Sequence, residues 1–219
     1  MRFDHALDDL LSGRSNIRVL RALDELPDGL AVSARELARR SGLSHPTVSK
    51  VLASLTSQGV TVARRAPRAD AFELNRRHVL VEQIEPLFEW ERQLLQELLA
   101  FLRREIEREA PEVSAAYLFG SVVRGQARPG SDIDLAVIAA EQRDLGDLEA
   151  GLSRVAKAFR GRFGNRLEVI ARSSPIGEHQ RPGAAPHQLW ARIRRDGIPV
   201  IDRSKAQATP LPKKRSANA

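Results

Sequence analysis

Apolar residues in the first third of the chain recur at the three- and four-residue steps of short amphipathic helices. This spacing predicts a first helix over 16–26, which a Pro-Asp-Gly turn at 27–29 ends. A second, shorter helix begins after Ser33, because Ser33 and Glu36 form the S-x-x-E pattern of a capping box. Gly42 ends this helix.

A third helix follows directly. Ser44 is a favourable N-cap, and Pro46 is tolerated in the first turn. The apolar positions at helical spacing are Val48, Val51, Leu52 and Leu55. Gly59 ends the helix. Two short helices joined by a glycine-containing turn are typical of a helix–turn–helix, so we expect that motif over 33–59.

A β-hairpin with a basic tip is predicted after the third helix. Strands over 60–63 and 71–74 flank a polar segment. The segment carries three arginines, which are Arg64, Arg65 and Arg68. A hairpin in this position forms a wing, and its arginines suit the phosphates of a nucleic-acid backbone.

A long helical stretch over 78–109 follows the hairpin, and Pro86 is a candidate site for a bend. Its apolar residues recur at three- and four-residue steps, at Ile84, Leu87, Phe88, Leu94, Leu95, Leu98, Leu102 and Ile106. Charged residues fill most other positions. The helix is either an ordinary core helix or also a dimer seam, and we expect a homodimer.

Strands and helices alternate in the C-terminal half. An apolar strand over 115–119 ends at Gly120, and a second strand follows over 131–138. The remaining elements are a helix over 145–159, a strand over 167–171, a helix over 186–195 and a strand over 197–201. We therefore expect an α+β protein.

The expected organisation has four parts within 219 residues, a length that allows two modest domains. They are a winged helix–turn–helix domain over 1–77, a linker or dimerisation helix over 78–110, a small mixed-sheet domain over 111–202 and a tail over 203–219. The tail is basic, contains no acid and has few large apolar groups, which predicts disorder.

Composition narrows the function classes. The chain has no cysteine, which excludes disulfides, thiolate metal sites and a cysteine nucleophile. Its formal net charge of +7 suits a polyanionic partner. The five histidines show no metal-ligand spacing. The sequence shows neither a signal-peptide pattern nor an apolar run of membrane-spanning length, so we expect a cytoplasmic protein with no membrane partner.

The residues best suited to catalysis or ligand binding lie at Gly120, where the first strand of the C-terminal half ends, and in the segment that follows. Glycine permits a sharp turn there, and Ser121 offers an N–H and a hydroxyl to phosphate oxygens. Asp132 and Asp134 are two residues apart, so on a strand both carboxylates leave from one face. Paired carboxylates repel unless a hard cation joins them, and carboxylates with substrate phosphates are the usual ligands of Mg²⁺. The stretch therefore predicts phosphoryl or nucleotidyl transfer.

Several positions together resemble a known signature. They are Gly120 with Ser121, Arg124 with Gly125, and Ser-Asp-Ile-Asp-Leu at 131–135. The pattern resembles the DNA polymerase beta-like nucleotidyltransferase superfamily, and is similar to its minimal nucleotidyltransferases, over about 111–202. The resemblance implies transfer of a nucleoside monophosphate from a nucleoside triphosphate to an acceptor hydroxyl on protein or RNA. Asp132 and Asp134 would then hold Mg²⁺ or Mn²⁺, and Ser121 with the Gly120 turn would bind the triphosphate.

Two further residues receive roles from the same resemblance. Glu168, on the predicted strand 167–171, stands where the superfamily supplies its third carboxylate, often an aspartate. The resemblance implies that Glu168 completes the metal site or takes the proton of the acceptor. The alternative is a surface charge on an edge strand. Arg124 either neutralises phosphate charge or locks the loop by pairing with an acid.

The N-terminal elements resemble the MarR-like winged-helix regulators, on the evidence of 33–59 and the arginine-rich hairpin. The resemblance implies duplex DNA as a partner. On the third helix, the side chains that face away from the core are His45, Thr47, Ser49 and Lys50, which can reach a major groove. The alternative is a winged helix that binds protein, with a solvated basic loop.

The combined hypothesis is a DNA-binding protein with a nucleotidyltransferase domain. A second hypothesis is a transcription regulator whose transferase fold only senses a nucleotide. A third is an antitoxin-like partner, because some minimal nucleotidyltransferases modify or restrain a toxin encoded beside them. The three differ in whether nucleotide becomes covalently attached to an acceptor.

Overall fold

The computed structural model describes residues 13–65, 69–127, 130–139, 145–173 and 187–203. The chain divides into two compact units, Met1–Leu94 and Leu95–Ala219. The predicted tail after residue 203 and the tip of the predicted wing, including Arg68, lie outside the described residues.

The first unit combines short helices with a small sheet. Its elements are α1 (Arg14–Asp24), β1 (Val32–Ser33), α2 (Ala34–Ser41), α3 (His45–Ser57), β2 (Thr61–Arg64) and β3 (Ala71–Leu74). The strand order is β1-β3-β2, and both pairings are antiparallel. The predicted helix–turn–helix and hairpin are confirmed. The two-residue strand β1 was not predicted, because so short a segment has no alternation to detect.

Side-chain caps define the two helices of the motif. The Ser33 hydroxyl accepts the N–H of Glu36, and the Ser44 hydroxyl accepts the N–H of Thr47. Gly42 has a φ of 62°, the left-handed conformation that ends α2. The Glu36 carboxylate accepts hydrogen bonds from Arg39 and Arg40, so only the serine half of the predicted capping box is observed.

The long helix α4 (Val79–Glu109) continues through Pro86 and contains the division between the two units. Its first part contributes Val81, Ile84 and Phe88 to the core of the first unit. Residues that pack there from α1 and α3 include Val19, Leu20, Leu23, Val48, Leu52 and Leu55. Leu87 does not join this core, because it is 61 % exposed.

The second unit is a four-stranded sheet with helices on both faces. Its elements after α4 are β4 (Val113–Phe119), α5 (Gly120–Val123), β5 (Ile133–Ala139), α6 (Leu145–Phe163), β6 (Leu167–Ser173), α7 (His187–Asp196) and β7 (Ile198–Asp202). The strand order is β6-β5-β4-β7. Only the β5–β6 pair is parallel, which confirms the predicted mixed sheet.

The two faces of this sheet have different coverings. One face packs against α4 and α6 in a core that includes Leu102, Ile106, Leu118, Leu135, Leu152 and Phe159. The other face packs against α7, where Tyr117, Ala136 and Ile138 meet Trp190 and Ile193. Alternation along the strands therefore gives the α7 face the even-numbered residues of β5, including Asp134.

No helix among the described ranges is both long and apolar enough to cross a membrane.

The packing of α6 on the end of α4 gives a stability prediction. A Cβ atom at Gly151 would lie 2.2 Å from the carbonyl oxygen of Glu109, whereas a Cβ atom at Gly161 has open space. We expect Gly151→Ala to lower the free energy of unfolding by about 1–3 kcal/mol, because of overpacking. Gly161→Ala should raise it by about 0.5–1 kcal/mol, because alanine favours a helix.

The measurement is urea unfolding followed by Trp190 fluorescence in a Trp90→Phe background, so that only the second unit is observed. Equal effects of the two substitutions would contradict the close approach of α6 to the end of α4.

Candidate active site and nucleic-acid interface

The turn between β4 and α5 brings a backbone against a carboxylate. Gly120 has a φ of 77°, a conformation that favours glycine. A Cβ atom at this position would lie 1.7 Å from a carboxylate oxygen of Asp134. Glycine is therefore required twice, once for the turn and once for the approach of the aspartate.

Asp134 lies on the central strand β5, at the end of the sheet where the turn after β4 occurs. On β5 it pairs with Phe119 of β4 on one side and with Glu168 of β6 on the other. The N–H of Ser121 donates a hydrogen bond to its carboxylate. The pairing of adjacent strands therefore places Asp134 and Glu168 side by side on one face of the sheet.

The charges around Asp134 conflict with one another. Partial burial raises the pKa of Asp134, and the negative charges of Glu168 and Asp132 raise it further. The Ser121 hydrogen bond and the positive charge of Arg124 act in the opposite direction. On balance the pKa of Asp134 is raised, so keeping this carboxylate charged at neutral pH costs free energy. A bound cation would reduce that cost.

The donor set suits a hard divalent cation. Asp132, immediately before β5, and Glu168, on β6, are both exposed, and Asp134 is half-buried. Carboxylate oxygens are the ligands that Mg²⁺ prefers, with substrate phosphates and water completing the shell. Within the described ranges, no three His, Cys, Asp or Glu side chains form a ready-made metal cluster.

Arg124 follows α5 and bears on the same site. Its Nε atom donates to Oε1 of Gln126 at 3.3 Å, and its charge lowers the pKa of Asp134. The hydrogen-bond partner of Arg124 is thus the side-chain amide of Gln126. The alternative in which Arg124 locks the loop required an acid as the partner. The guanidinium acts on Asp134 through its charge.

A cavity of about 390 Å³ lies beside these residues. Gly120, Arg124 and Asp134 line it, together with Phe119 and Val123. Four residues of α7 and the glycine that follows it complete the lining, and they are Leu189, Arg192, Ile193, Asp196 and Gly197. The sequence predicted α7 only as a closing helix with an apolar face, because nothing in its local pattern connects it with the aspartate motif.

The third helix presents the predicted polar residues unequally. His45 and Lys50 are exposed, and Thr47 and Ser49 are half-buried. The Thr47 hydroxyl lies 2.8 Å from the Ser44 hydroxyl, so it belongs to the N-cap of α3. His45 and Lys50 are therefore the more accessible of the four candidates.

The wing contains an ion pair that the sequence did not indicate. Arg64 Nη2 donates to both carboxylate oxygens of Glu73 on β3, at 2.7 and 2.8 Å. The two residues lie near each other because β2 and β3 pair with Val62 opposite Glu73. Arg65 is exposed. The charge of Arg64 is thus partly neutralised within the hairpin, whereas Arg65 is the more accessible of these two arginines.

Comparison with known proteins supports both resemblances. Residues 103–171 match the family model for Polymerase beta, Nucleotidyltransferase. Residues 12–71 match that of the MarR family. The chain therefore carries a MarR-type winged-helix region, followed by a polymerase beta-type nucleotidyltransferase region. No curated protein matches the chain.

Two solved structures are similar to part of the chain. One, described as a toxin–antitoxin with AMP-PNP, is 18 % identical, covers 49 % of this chain and 76 % of that chain, and has a TM-score of 0.36. The other is a mutant of the toxin–antitoxin MntA–HpeT, which is 17 % identical, covers 47 % of this chain and 72 % of that chain, and has a TM-score of 0.34.

The contact between Gly120 and Asp134 gives a prediction with a matched control. Gly120→Ala and Gly125→Ala both place alanine at a positive φ, which costs about 1–2 kcal/mol in each case. Only the first also displaces Asp134, because a Cβ atom at Gly125 has open space. We expect Gly120→Ala alone to abolish Mg²⁺-dependent binding of a nucleoside triphosphate, measured by calorimetry. Loss of binding in both variants would attribute the effect to backbone strain.

Proposed function

We propose that this chain, with its MarR-type winged helix and polymerase beta-type nucleotidyltransferase domain, is a DNA-binding protein that transfers a nucleoside monophosphate. The donor is a nucleoside triphosphate, and the acceptor is a hydroxyl group on protein or RNA. The acceptor oxygen forms a bond to the α-phosphorus, the bond from that phosphorus to the bridging oxygen breaks, and pyrophosphate leaves with its electron pair.

The observation that carries this proposal is the close packing of Gly120 on Asp134, which lies in register with Glu168. The packing places a tight turn, with the N–H groups of a short helix, beside carboxylates on one face of the sheet. A turn of this kind suits phosphate oxygens, and the carboxylates suit the cation that accompanies a triphosphate. The raised pKa of Asp134 is consistent with a site made for a cation.

Each group then has a proposed role. Asp132 and Asp134 would hold Mg²⁺ or Mn²⁺, which when bound would neutralise charge on the phosphates. The Ser121 hydroxyl would donate to a phosphate oxygen, since its N–H is used by Asp134. Glu168 would take the proton from the acceptor hydroxyl, as an exposed carboxylate on the same face can do.

The role of Glu168 can be tested by a shape-conserving substitution. We expect Glu168→Gln to reduce transfer by a factor on the order of 10² or more, while nucleotide affinity changes little. Asp132 and Asp134 still provide the metal anchor in this variant. The measurement is covalent attachment of labelled nucleotide in cell extract with Mg²⁺, beside calorimetric binding. Glu149→Gln, an exposed acid on α6, is the matched control and should behave as wild type.

The same assay separates the competing functions. Wild-type rates in Glu168→Gln would make Glu168 a surface charge. Binding of nucleotide by the wild-type protein without any labelled product would favour a regulator that senses nucleotide. Labelling that requires the product of a neighbouring gene would favour the antitoxin-like function.

For the N-terminal unit, we propose duplex DNA as the partner. His45 and Lys50 on α3 are exposed where a recognition helix meets a major groove. Arg65 follows α3 along the chain, in the hairpin that forms the wing of a winged helix. It is also exposed, and it suits a backbone phosphate. The neutralising contact between Arg64 and Glu73 makes Arg64 the weaker phosphate ligand.

The two wing arginines should therefore differ in their salt dependence. We expect Arg65→Ala to reduce the slope of log K against log salt by about one unit for duplex DNA of any sequence. Arg64→Ala should change it less, and Glu73→Gln should strengthen binding because it releases the Arg64 charge. Fluorescence anisotropy over a range of salt concentrations measures this, with Arg162→Ala on α6 as the control. If Arg65→Ala and wild type bind equally at every salt concentration, the wing does not bind phosphate.

We also propose that the protein is a homodimer. Leu87, Trp90 and Leu94 form an exposed stripe on α4, with Leu87 61 % and Trp90 51 % exposed. Apolar residues at steps of three and four are typical of the contact between two packed helices. If this stripe packs on the same stripe of a second copy, the dimer would present two recognition helices to successive major grooves. We expect Trp90→Glu to give monomers in sedimentation equilibrium. Gln96→Glu, on the same helix but off the stripe, should leave the dimer intact.

A further inference from the structure

The cleft beside Asp134 has a second wall that the aspartate motif does not supply. Four residues of α7 line it, namely Leu189, Arg192, Ile193 and Asp196. The helix packs on β4, because Trp190 and Ile193 share a buried cluster with Tyr117, and Gly197, which follows α7, lies close to the carbonyl oxygen of Leu118. Residues on α7 are therefore held beside the turn that follows β4.

Arg192 carries an uncommitted charge within this wall. Its side chain is exposed, and no residue in the described part of the chain forms a hydrogen bond or ion pair with it. The nearby acid, Asp196, is bound by Arg195 through two hydrogen bonds of 2.7 and 2.9 Å. The pKa of Asp196 is lowered first by Arg195, and the charge of Arg192 contributes only at longer range.

A triphosphate in this cleft would need such a charge. It brings several negative charges to a cleft that Asp134 and Asp196 already line, and the charges of Glu168 and Asp132 also reach Asp134. A divalent cation neutralises only part of the total. Among the residues that line the cavity, the cationic side chains are Arg124 and Arg192, which come from two different elements. A guanidinium can donate two parallel hydrogen bonds to phosphate oxygens.

We infer that Arg192 binds the polyphosphate of the donor nucleotide. This inference rests on the proposed function, and assigns to α7 a part in binding the substrate that its sequence pattern did not suggest. Arg192 contacts the β- or γ-phosphate, the part that leaves as pyrophosphate, and Arg124 contributes charge from the other element. The residue is thus a substrate-binding group that lies about 60 positions after the aspartate motif.

The test compares tri-, di- and monophosphates of one nucleoside. Each of the four ribonucleoside triphosphates is first titrated into the full-length wild-type protein with Mg²⁺, and the one that binds best is kept. We expect Arg192→Gln to weaken the binding of that triphosphate at least about tenfold and to leave the affinity for the monophosphate unchanged. Arg192→Lys should recover part of the loss, because it retains the charge without the fork.

Arg160→Gln removes one exposed arginine from α6, on the other side of the sheet, and should bind as wild type. Equal triphosphate affinity in Arg192→Gln and wild type would overturn the role of Arg192 and leave the proposed function standing. An equal loss for triphosphate and monophosphate would place Arg192 at the nucleoside and overturn the polyphosphate assignment. If the wild-type protein binds no nucleotide, the proposed function and this inference both fail.

Discussion

The second unit depends on one close contact, between the Cα atom of Gly120 and the carboxylate of Asp134. A side chain at position 120 would separate them, and the left-handed turn would also become strained. The contact sets where β4 ends, where the short helix α5 begins and how near its N–H groups lie to the carboxylate. Because Asp134 is also in register with Glu168, the position of both acids follows from the same strand pairing.

The site is held at a cost that the rest of the sheet offsets. Burial and two neighbouring acids raise the pKa of Asp134, so the charged form is destabilised at neutral pH. The opposite face of the sheet packs on α4 and α6 with fully buried residues such as Leu135, Val137 and Phe159. Because side chains alternate along the strands, one face of the sheet is apolar and stabilises the unit. The other face carries the acids at the end of its strands, where a ligand can bind.

Basic residues in the first unit are not all available to a polyanion. Asp24, whose side chain is only 4 % exposed, is approached by Arg76 and Arg92, which ties α1 to the first part of α4. Arg64 is similarly engaged by Glu73. The count of 35 lysines and arginines therefore overstates the number of cationic side chains that are free to meet a nucleic acid. Exposed residues outside such pairs, Lys50 and Arg65 among them, are the better candidates for phosphate contacts.

The sequence by itself determined the features that depend on neighbours in the chain. Helix caps at Ser33 and Ser44, and the turn at Gly120, follow from local hydrogen bonding and backbone sterics, which a few residues contain in full. Other features were decided only by the tertiary structure: the strand β1, the ion pair of Arg64 with Glu73, the exposure of Leu87 and the place of Arg192 in the cleft. Each depends on strand register or on which side of a helix meets the core. Those choices are made between distant segments, so apolar spacing predicted α7 as a closing helix but could not show that Arg192 would lie beside Asp134.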